Sequence, residues 1–196
     1  MSEASSKRLS KPARRTQLLD TALAMVRDEG TDALTLARVA ERAGVSKPVA
    51  YQHFETRAGL LLALYERMDE EPRARLVEAL RKAPPRLRDV ARVAGRAYMS
   101  CYTSLGPEWY AVSAALAGSE EMEASRRELL DAYAQIYQEA LAPYAALPKR
   151  ALQLRCVGII GAAEAIAQEM LRGRVSEAAA ADTLATMIVA SLSSKE

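Results

Sequence analysis

Apolar residues recur at helical spacing along most of the chain, and no segment alternates apolar and polar residues as a half-buried strand does. Between Pro12 and Glu29 the apolar positions fall on one side, which predicts an amphipathic helix that Gly30 ends. Two shorter segments of the same kind, Leu36–Ala43 and Lys47–Phe54, flank the tripeptide at 44–46. This spacing predicts a helix-turn-helix.

A longer helical pattern follows this motif. It begins at Arg57 behind Thr56 as a cap, and Pro84-Pro85 ends it, with Pro72 as a point where the helix kinks or restarts. Four or five more helices are predicted from the remaining periodicity and its Pro, Gly and Ser boundaries, at about residues 87–105, 107–117, 119–141, 148–173 and 176–192. The pattern therefore predicts an all-α fold of about nine helices.

The turn chemistry of the helix-turn-helix supports its assignment. Thr35 and Ser46 are N-cap residue types placed directly before the two helices, and Gly44 provides the left-handed backbone that ends the first helix. In the second helix Ala50 and Phe54 lie four residues apart and face inward. The positions that then face outward or lie at the rim are Lys47, Val49, Tyr51, Gln52 and His53.

The segment AERAGVSKPVAYQHFETRAGLL closely resembles the DNA-binding segment of the tetracycline-repressor (TetR) family. The positions that match the family pattern in order are Ala40, Gly44, Val45, Ser46, Tyr51, Phe54 and Arg57. The chain departs from that pattern at Ala50, where a larger aliphatic residue is usual, and at Pro48-Val49, where Gly-Thr is common. The resemblance implies a ligand-responsive transcriptional regulator, here a repressor that a small, mostly apolar effector releases from a palindromic double-stranded DNA operator.

The resemblance also implies a division into domains. We expect residues 1–11 to form a basic arm that is disordered without DNA, and residues 12–57 to form a three-helix DNA-binding domain. Residues 58–196 form a larger helical domain for ligand binding and dimerisation, which the helix from Arg57 connects to the first. The alternatives are an activator, or an adaptor whose helix-turn-helix binds a protein instead of DNA.

Charge and residue type select the candidate DNA contacts. From Met1 through Arg57 the chain carries ten basic and seven acidic residues, a net charge of +3. The basic N-terminal residues are either an arm that contacts DNA phosphates or a solvated tail without a partner. Arg57 is the first residue of a predicted helix and lies beside the N-terminal amides of that helix. It is either a phosphate ligand or a solvent-exposed side chain. Lys47 and Gln52 are candidates to read base edges. The full candidate set is Arg14, Arg15, Thr35, Arg38, Ser46, Lys47, Pro48, Val49, Tyr51, Gln52, His53 and Arg57.

The second half of the chain has two further candidate surfaces. Aromatic and soft residues suit either a core or the lining of an effector pocket, and the pocket candidates are Tyr98, Met99, Tyr102, Trp109, Met122, Tyr133 and Tyr137. Small residues in the last two helices suit either an intramolecular hairpin or a homodimer built as a four-helix bundle. The dimer candidates are Gly158, Gly161, Ala162, Ala165, Leu184, Ala185 and Ile188.

Composition excludes several other classes of protein. No apolar run approaches the ~20 residues that span a bilayer, and the N-terminus lacks an apolar signal segment, so we expect a soluble, cytoplasmic protein. Cys101 and Cys156 lack metal-site spacing and are expected to be free thiols. The chain has one histidine, His53, and no acidic pair or Gly-rich phosphate loop, so we expect no catalytic residue, metal or cofactor.

Overall fold

A computed structural model describes residues 9–192 of the 196-residue chain. Over this range the chain forms nine α-helices and no strand, which confirms the predicted all-α fold. The helices are α1 (Lys11–Glu29), α2 (Leu36–Arg42), α3 (Lys47–Phe54), α4 (Arg57–Arg81), α5 (Leu87–Ser104), α6 (Pro107–Leu116), α7 (Glu120–Leu141), α8 (Lys149–Leu171) and α9 (Glu177–Leu192). Residues 1–8 of the predicted basic arm lie outside the described residues.

Local sequence signals account for most helix boundaries. The Ser119 hydroxyl accepts a bond from the Met122 backbone N–H at 3.0 Å and so caps α7 as expected. The Thr56 hydroxyl accepts from the Gly59 N–H at 3.0 Å at the start of α4. Pro72 lies inside α4, which runs on to Arg81 and does not restart there.

The first of two compact units comprises residues 9–67 and 107–118. It contains α1 to α3, the first part of α4, and α6. The Trp109 ring stacks on the Tyr65 ring with 4.2 Å between centroids, and Arg27 Nε lies 2.8 Å from the Glu108 carboxylate. These contacts place α6 in the first unit, whereas the predicted division placed residues 107–118 with the second domain.

The second compact unit comprises residues 68–106 and 119–192. Its core lies among α5, α7, α8 and α9, with Tyr137 and Leu184 among its most buried side chains. Helices α5 and α9 approach very closely, because a Cβ atom built on Gly95 would lie 2.5 Å from the Ala181 carbonyl oxygen. A side chain at Gly95 would therefore separate the two helices.

Cys101 and Cys156 are both free and buried, as predicted. Burial raises the pKa of each thiol to about 11, so both stay protonated at neutral pH. Within residues 9–192 no helix is long and apolar enough to cross a membrane. Over the same residues no group of three or more His, Cys, Asp or Glu side chains could hold a metal ion.

Candidate nucleic-acid interface

Backbone geometry sets the angle between α2 and α3. The Thr35 hydroxyl accepts from the Arg38 backbone N–H at 3.3 Å and caps α2 as predicted. Gly44 has φ of +67°, a left-handed conformation that residues with a Cβ rarely adopt. The next residue, Val45, donates its N–H to the Ala40 carbonyl at 2.9 Å. The turn is therefore closed by backbone hydrogen bonds, and α3 begins in a fixed direction.

Helix α3 has a buried side and an exposed side. Ala50 has no exposed surface and Phe54 has 5%, so both pack into the first unit as predicted. On the other side Tyr51 is 50% exposed. Lys47, Pro48 and Gln52 are also exposed, whereas Val49 and His53 are half-buried. The outer side of this short helix therefore presents an ammonium, an amide and a phenol to solvent.

Ser46 is exposed and occupies the N-cap position of α3, but its hydroxyl makes no capping hydrogen bond. The predicted Ser46 cap is therefore wrong. The Val49 N–H bonds instead to the Ser46 backbone carbonyl at 3.0 Å. Because Pro48 has no N–H and the Val49 N–H is already bonded, the groups that this helix N-terminus offers to an anion are the Ser46 hydroxyl and the Lys47 N–H.

The α3–α4 turn is unusually tight. Glu55 is the one described non-glycine residue with positive φ, at 58°, and the Thr56 N–H donates to the Phe54 carbonyl at 2.5 Å. A Cβ atom on Gly59 would clash with that same carbonyl oxygen. Gly59 was missed in the sequence analysis, although a glycine in a first helical turn is itself a signal, since it costs helix stability.

Arg57 ties the start of α4 to the loop that precedes α2. Its Nε donates to the Leu34 carbonyl at 2.9 Å and its Nη2 donates to the Thr31 carbonyl at 2.7 Å. The residue is exposed. The Arg57 guanidinium is therefore not free in solvent, because it already donates hydrogen bonds to two backbone carbonyls in the protein without DNA.

Arg15, half-buried on α1, contacts the C-terminal end of α3. Its Nη1 donates to the His53 carbonyl at 3.0 Å, and its guanidinium carbon lies 4.8 Å from the Phe54 ring centroid. Burial, followed by the positive charges of Arg15, Lys11 and Arg14, lowers the pKa of His53. His53 is therefore neutral at pH 7, and the basic side chains around it create a local positive potential.

Arg14 and Arg38, two further basic candidates, also have intramolecular partners, as does the neighbouring Arg42. Arg38 Nη2 lies 2.5 Å from the Glu29 carboxylate, and Arg42 pairs with both Asp28 and Glu29. Arg14, which is half-buried, donates to the side chain of Gln17, and Gln17 in turn donates to the Ala43 carbonyl at the end of α2. Surface pairs of this kind contribute little free energy, so a phosphate could replace an acidic partner at small cost.

The predicted pocket residues do not all lie together. Tyr98, Tyr102, Tyr133 and Tyr137 form one ring cluster in the second unit, with Tyr98 within 6.4 Å, centroid to centroid, of each of the others. Met99 and Met122 are buried in the same unit. Trp109 belongs to the first unit, where it stacks on Tyr65. A groove of about 1000 Å³ runs along α7 and α8, and none of the seven predicted residues lines it.

A buried carboxylate beside the ring cluster was missed in the sequence analysis. Asp69 on α4 is 4% exposed, and its Oδ1 accepts from the Tyr133 hydroxyl at 2.7 Å. In the sequence Asp69 opens the acidic run 69–71, which has the composition of a solvated helix face. The available signal was its helical spacing from buried Leu61 and Leu76.

The candidate dimer residues divide by exposure. Gly158, Gly161 and Ala165 are exposed, and Ala162 and Ala185 are half-buried. Leu184 and Ile188, however, have no exposed surface, because they pack into the core of their own unit. Within the chain these two side chains are core residues, and their predicted contact with a second copy stays a prediction. The exposed large apolar residues of the same two helices are Leu154, Val157, Leu171 and Met187.

Comparison with known proteins identifies the module that contains the helix-turn-helix. The pattern described as "Bacterial regulatory proteins, tetR family" matches residues 18–64. The HTH-type transcriptional activator FasR of Mycolicibacterium smegmatis is 47% identical over 60 residues, which are 31% of this chain and 27% of FasR. The HTH-type transcriptional regulator BetI of Rhizobium meliloti is 34% identical over 126 residues, 63% of this chain and 60% of BetI.

The match to both curated relatives thus spans less than two thirds of their length. A solved TetR-like transcriptional regulator from Rhodococcus sp. RHA1 is 26% identical with a TM-score of 0.54, and the alignment covers 96% of this chain and all of that one. These relatives are named as regulators of transcription and not as enzymes. Family pattern, relatives and fold agree with the geometry of α2 and α3, and residues 18–64 of the chain form a module of the TetR family of bacterial regulatory proteins.

Proposed function

We propose that this protein is a DNA-binding regulator of transcription that acts as a homodimer on a palindromic operator. The observation that carries the proposal is the exposed side of α3. Lys47, Tyr51 and Gln52 point away from the unit that Ala50 and Phe54 anchor. A rigid short helix with free polar side chains has the form that enters a major groove.

The contacts within each half-site divide into two kinds. The N-terminus of α3 holds phosphate through the Ser46 hydroxyl and the Lys47 N–H. Thr35, Tyr51 and Arg57 hold further phosphates, and together these contacts fix the register of the protein on the duplex. Separately, Lys47, Gln52, Val49 and neutral His53 read base edges, with Lys suited to guanine and Gln to adenine. The bases Arg14, Arg15 and Arg38 add positive charge near the backbone.

Two copies are needed because one short helix makes few base contacts. Recognition helices ~34–36 Å apart reach successive turns of the major groove. In α8, a Cβ atom on Gly158 or Gly161 would meet nothing within 4 Å in the chain. These glycines therefore have no packing role within the chain, although each costs an isolated helix about 0.5–1 kcal/mol relative to alanine. Close approach of a partner helix gives them a role, and exposed Leu154 and Met187 extend that apolar surface.

An effector bound in the second unit completes the proposed device. Its binding would displace α4 and alter the spacing between the two recognition helices, for which a coupling of ~1–3 kcal/mol is sufficient. We place the protein among repressors, because an operator-bound dimer blocks transcription without a further contact. Its place of action is the cytoplasm, on DNA.

The test is selection on pooled random duplexes with the full chain, followed by a salt titration of the selected site. We expect a palindromic motif and an affinity that falls steeply with salt. An adaptor that binds protein through the same helix would select no motif, and this result would reject the proposal. Expression of a reporter behind the selected site, with and without the protein, then distinguishes repression from activation.

A further inference from the structure

Asp69 is a buried carboxylate that the protein itself satisfies only in part. Its Oδ1 accepts from the Tyr133 hydroxyl at 2.7 Å. Its Oδ2 has no hydrogen-bond donor among the described residues. The nearest cation is Arg73, whose Nε lies 3.6 Å from Oδ2, beyond hydrogen-bonding distance, and whose side chain is 39% exposed. Oδ2 therefore has an ion-pair partner at this distance but accepts no hydrogen bond from the described residues.

This arrangement costs stability. A buried charge without full hydrogen bonding is expensive, and burial raises the pKa of Asp69 despite the opposing effects of Tyr133 and Arg73. An apolar residue at position 69 would avoid the cost. Groups of this kind concentrate at functional sites, where a ligand supplies the missing interaction.

The surroundings of Asp69 define the chemistry of that ligand. The Tyr98 ring packs edge-on against the Tyr133 ring with 5.7 Å between centroids, and the Tyr102 ring centroid lies 5.5 Å from that of Tyr98. Burial raises the pKa of Tyr98 and Tyr133, so both stay uncharged. The Tyr137 hydroxyl already donates to the Ala94 carbonyl at 3.0 Å. Uncharged aromatic rings beside a carboxylate attract an organic cation.

We propose that Asp69 anchors the protonated amine of a cationic effector whose apolar body packs on the tyrosine cluster of residues 98, 102, 133 and 137. An ammonium N–H donates to Oδ2, and the cation replaces Arg73 as the counter-ion of Asp69. Arg73 is half-buried and leaves at little cost. This inference rests on the proposed effector response and changes the expected ligand from a mostly apolar molecule to an amine with an apolar body.

The test uses two probes of equal size, 4-phenylbutylammonium and 4-phenylbutan-1-ol, with the full chain in a calorimetric titration. The two molecules share the aromatic body and a donor group and differ in charge. We expect the ammonium to bind at least about tenfold more tightly, as a charge-assisted hydrogen bond does relative to a neutral one. Equal affinity for both probes, or binding of neither, would overturn the proposal without any variant being made.

Two variants then locate the effect. Asp69→Asn removes the charge but keeps an oxygen for the Tyr133 hydroxyl, and we expect the ammonium to lose its advantage over the alcohol. The matched control is Glu71→Gln, which removes a carboxylate two residues away whose side chain is 80% exposed. A preference that persists in Asp69→Asn, or vanishes in Glu71→Gln, would place the cation elsewhere.

DNA binding is measured in the same samples before either probe is added. Failure to select an operator counts against the proposed regulator and leaves the probe titrations valid as a test of the Asp69 site. Conversely, an operator-bound protein that discriminates neither probe keeps its regulatory function and loses the cation site.

Discussion

Arg57 offers the sharpest test of the DNA interface, because the structure gives it two duties that can be measured separately. In the free protein its guanidinium donates to the Leu34 and Thr31 carbonyls. Arginine carries five N–H donors, so three remain for a phosphate oxygen after these two bonds. Arg57→Ala removes both duties, whereas Arg57→Lys keeps the charge and loses the fork that spans the two carbonyls.

The magnitudes follow from these contacts. Two hydrogen bonds from an exposed arginine, discounted for solvent screening, give a loss of about 1–2 kcal/mol in the free energy of unfolding for Arg57→Ala. A dimer loses one phosphate contact in each half-site. The slope of log affinity against log salt should therefore become shallower by ~1.8, since each contact contributes about 0.9.

The assay is fluorescence anisotropy with the selected operator and with unrelated duplexes over a range of salt, beside urea denaturation without DNA. We expect Arg57→Ala to weaken binding to all sequences and flatten the slope, and Arg57→Lys to keep most of the slope but to be less stable than wild type. Arg88→Ala, which removes an exposed cation of the second unit, is the control and should leave the slope unchanged. An unchanged slope in Arg57→Ala would refute the phosphate assignment and leave Arg57 as a loop tie. A loss at one base position alone would make it a base reader.

Three further outcomes are expected. Gln52→Ala should relax the preference at one operator position by about 1–3 kcal/mol, and an unchanged selected motif would remove Gln52 from the base readers. Gly161→Leu should yield monomers in analytical ultracentrifugation while Gly161→Ala stays dimeric; dimers in both would place the interface elsewhere. Tyr133→Phe should lower the free energy of unfolding by about 1–3 kcal/mol at pH 7 and by less at pH 4. The sign follows from the raised pKa of Asp69, because stability falls as pH rises through a pKa that folding has raised. The Tyr133 hydrogen bond lowers this pKa. Without that bond the folded-state pKa is higher still, so the loss of stability at pH 7 is larger. An equal loss at both pH values in urea denaturation would show that the bond does not depend on the charge of Asp69.

The sequence by itself determined the helices and the helix-turn-helix. Their boundaries depend on signals within a few residues, such as the Thr35 cap and the left-handed Gly44, and these act before any tertiary contact forms. The inward positions Ala50 and Phe54 follow from helical spacing in the same way. Once these inward positions are assigned, the other residues of α3 form its exposed side.

Tertiary structure alone decided which partner each side chain meets. Periodicity places Leu184 on an apolar face but does not say whether that face packs on α5 of the same chain or on a second copy. It likewise could not show that Trp109 meets Tyr65, or that Arg57 reaches the carbonyl of Leu34, 23 residues away. Asp69 is the plainest case, because local sequence marks it as solvated, and only the packing of α4 and α7 turns it into a buried carboxylate with one oxygen that accepts no hydrogen bond from the described residues. Such contacts join residues that are distant in the chain, and no local rule of propensity, capping or spacing encodes their distance or direction.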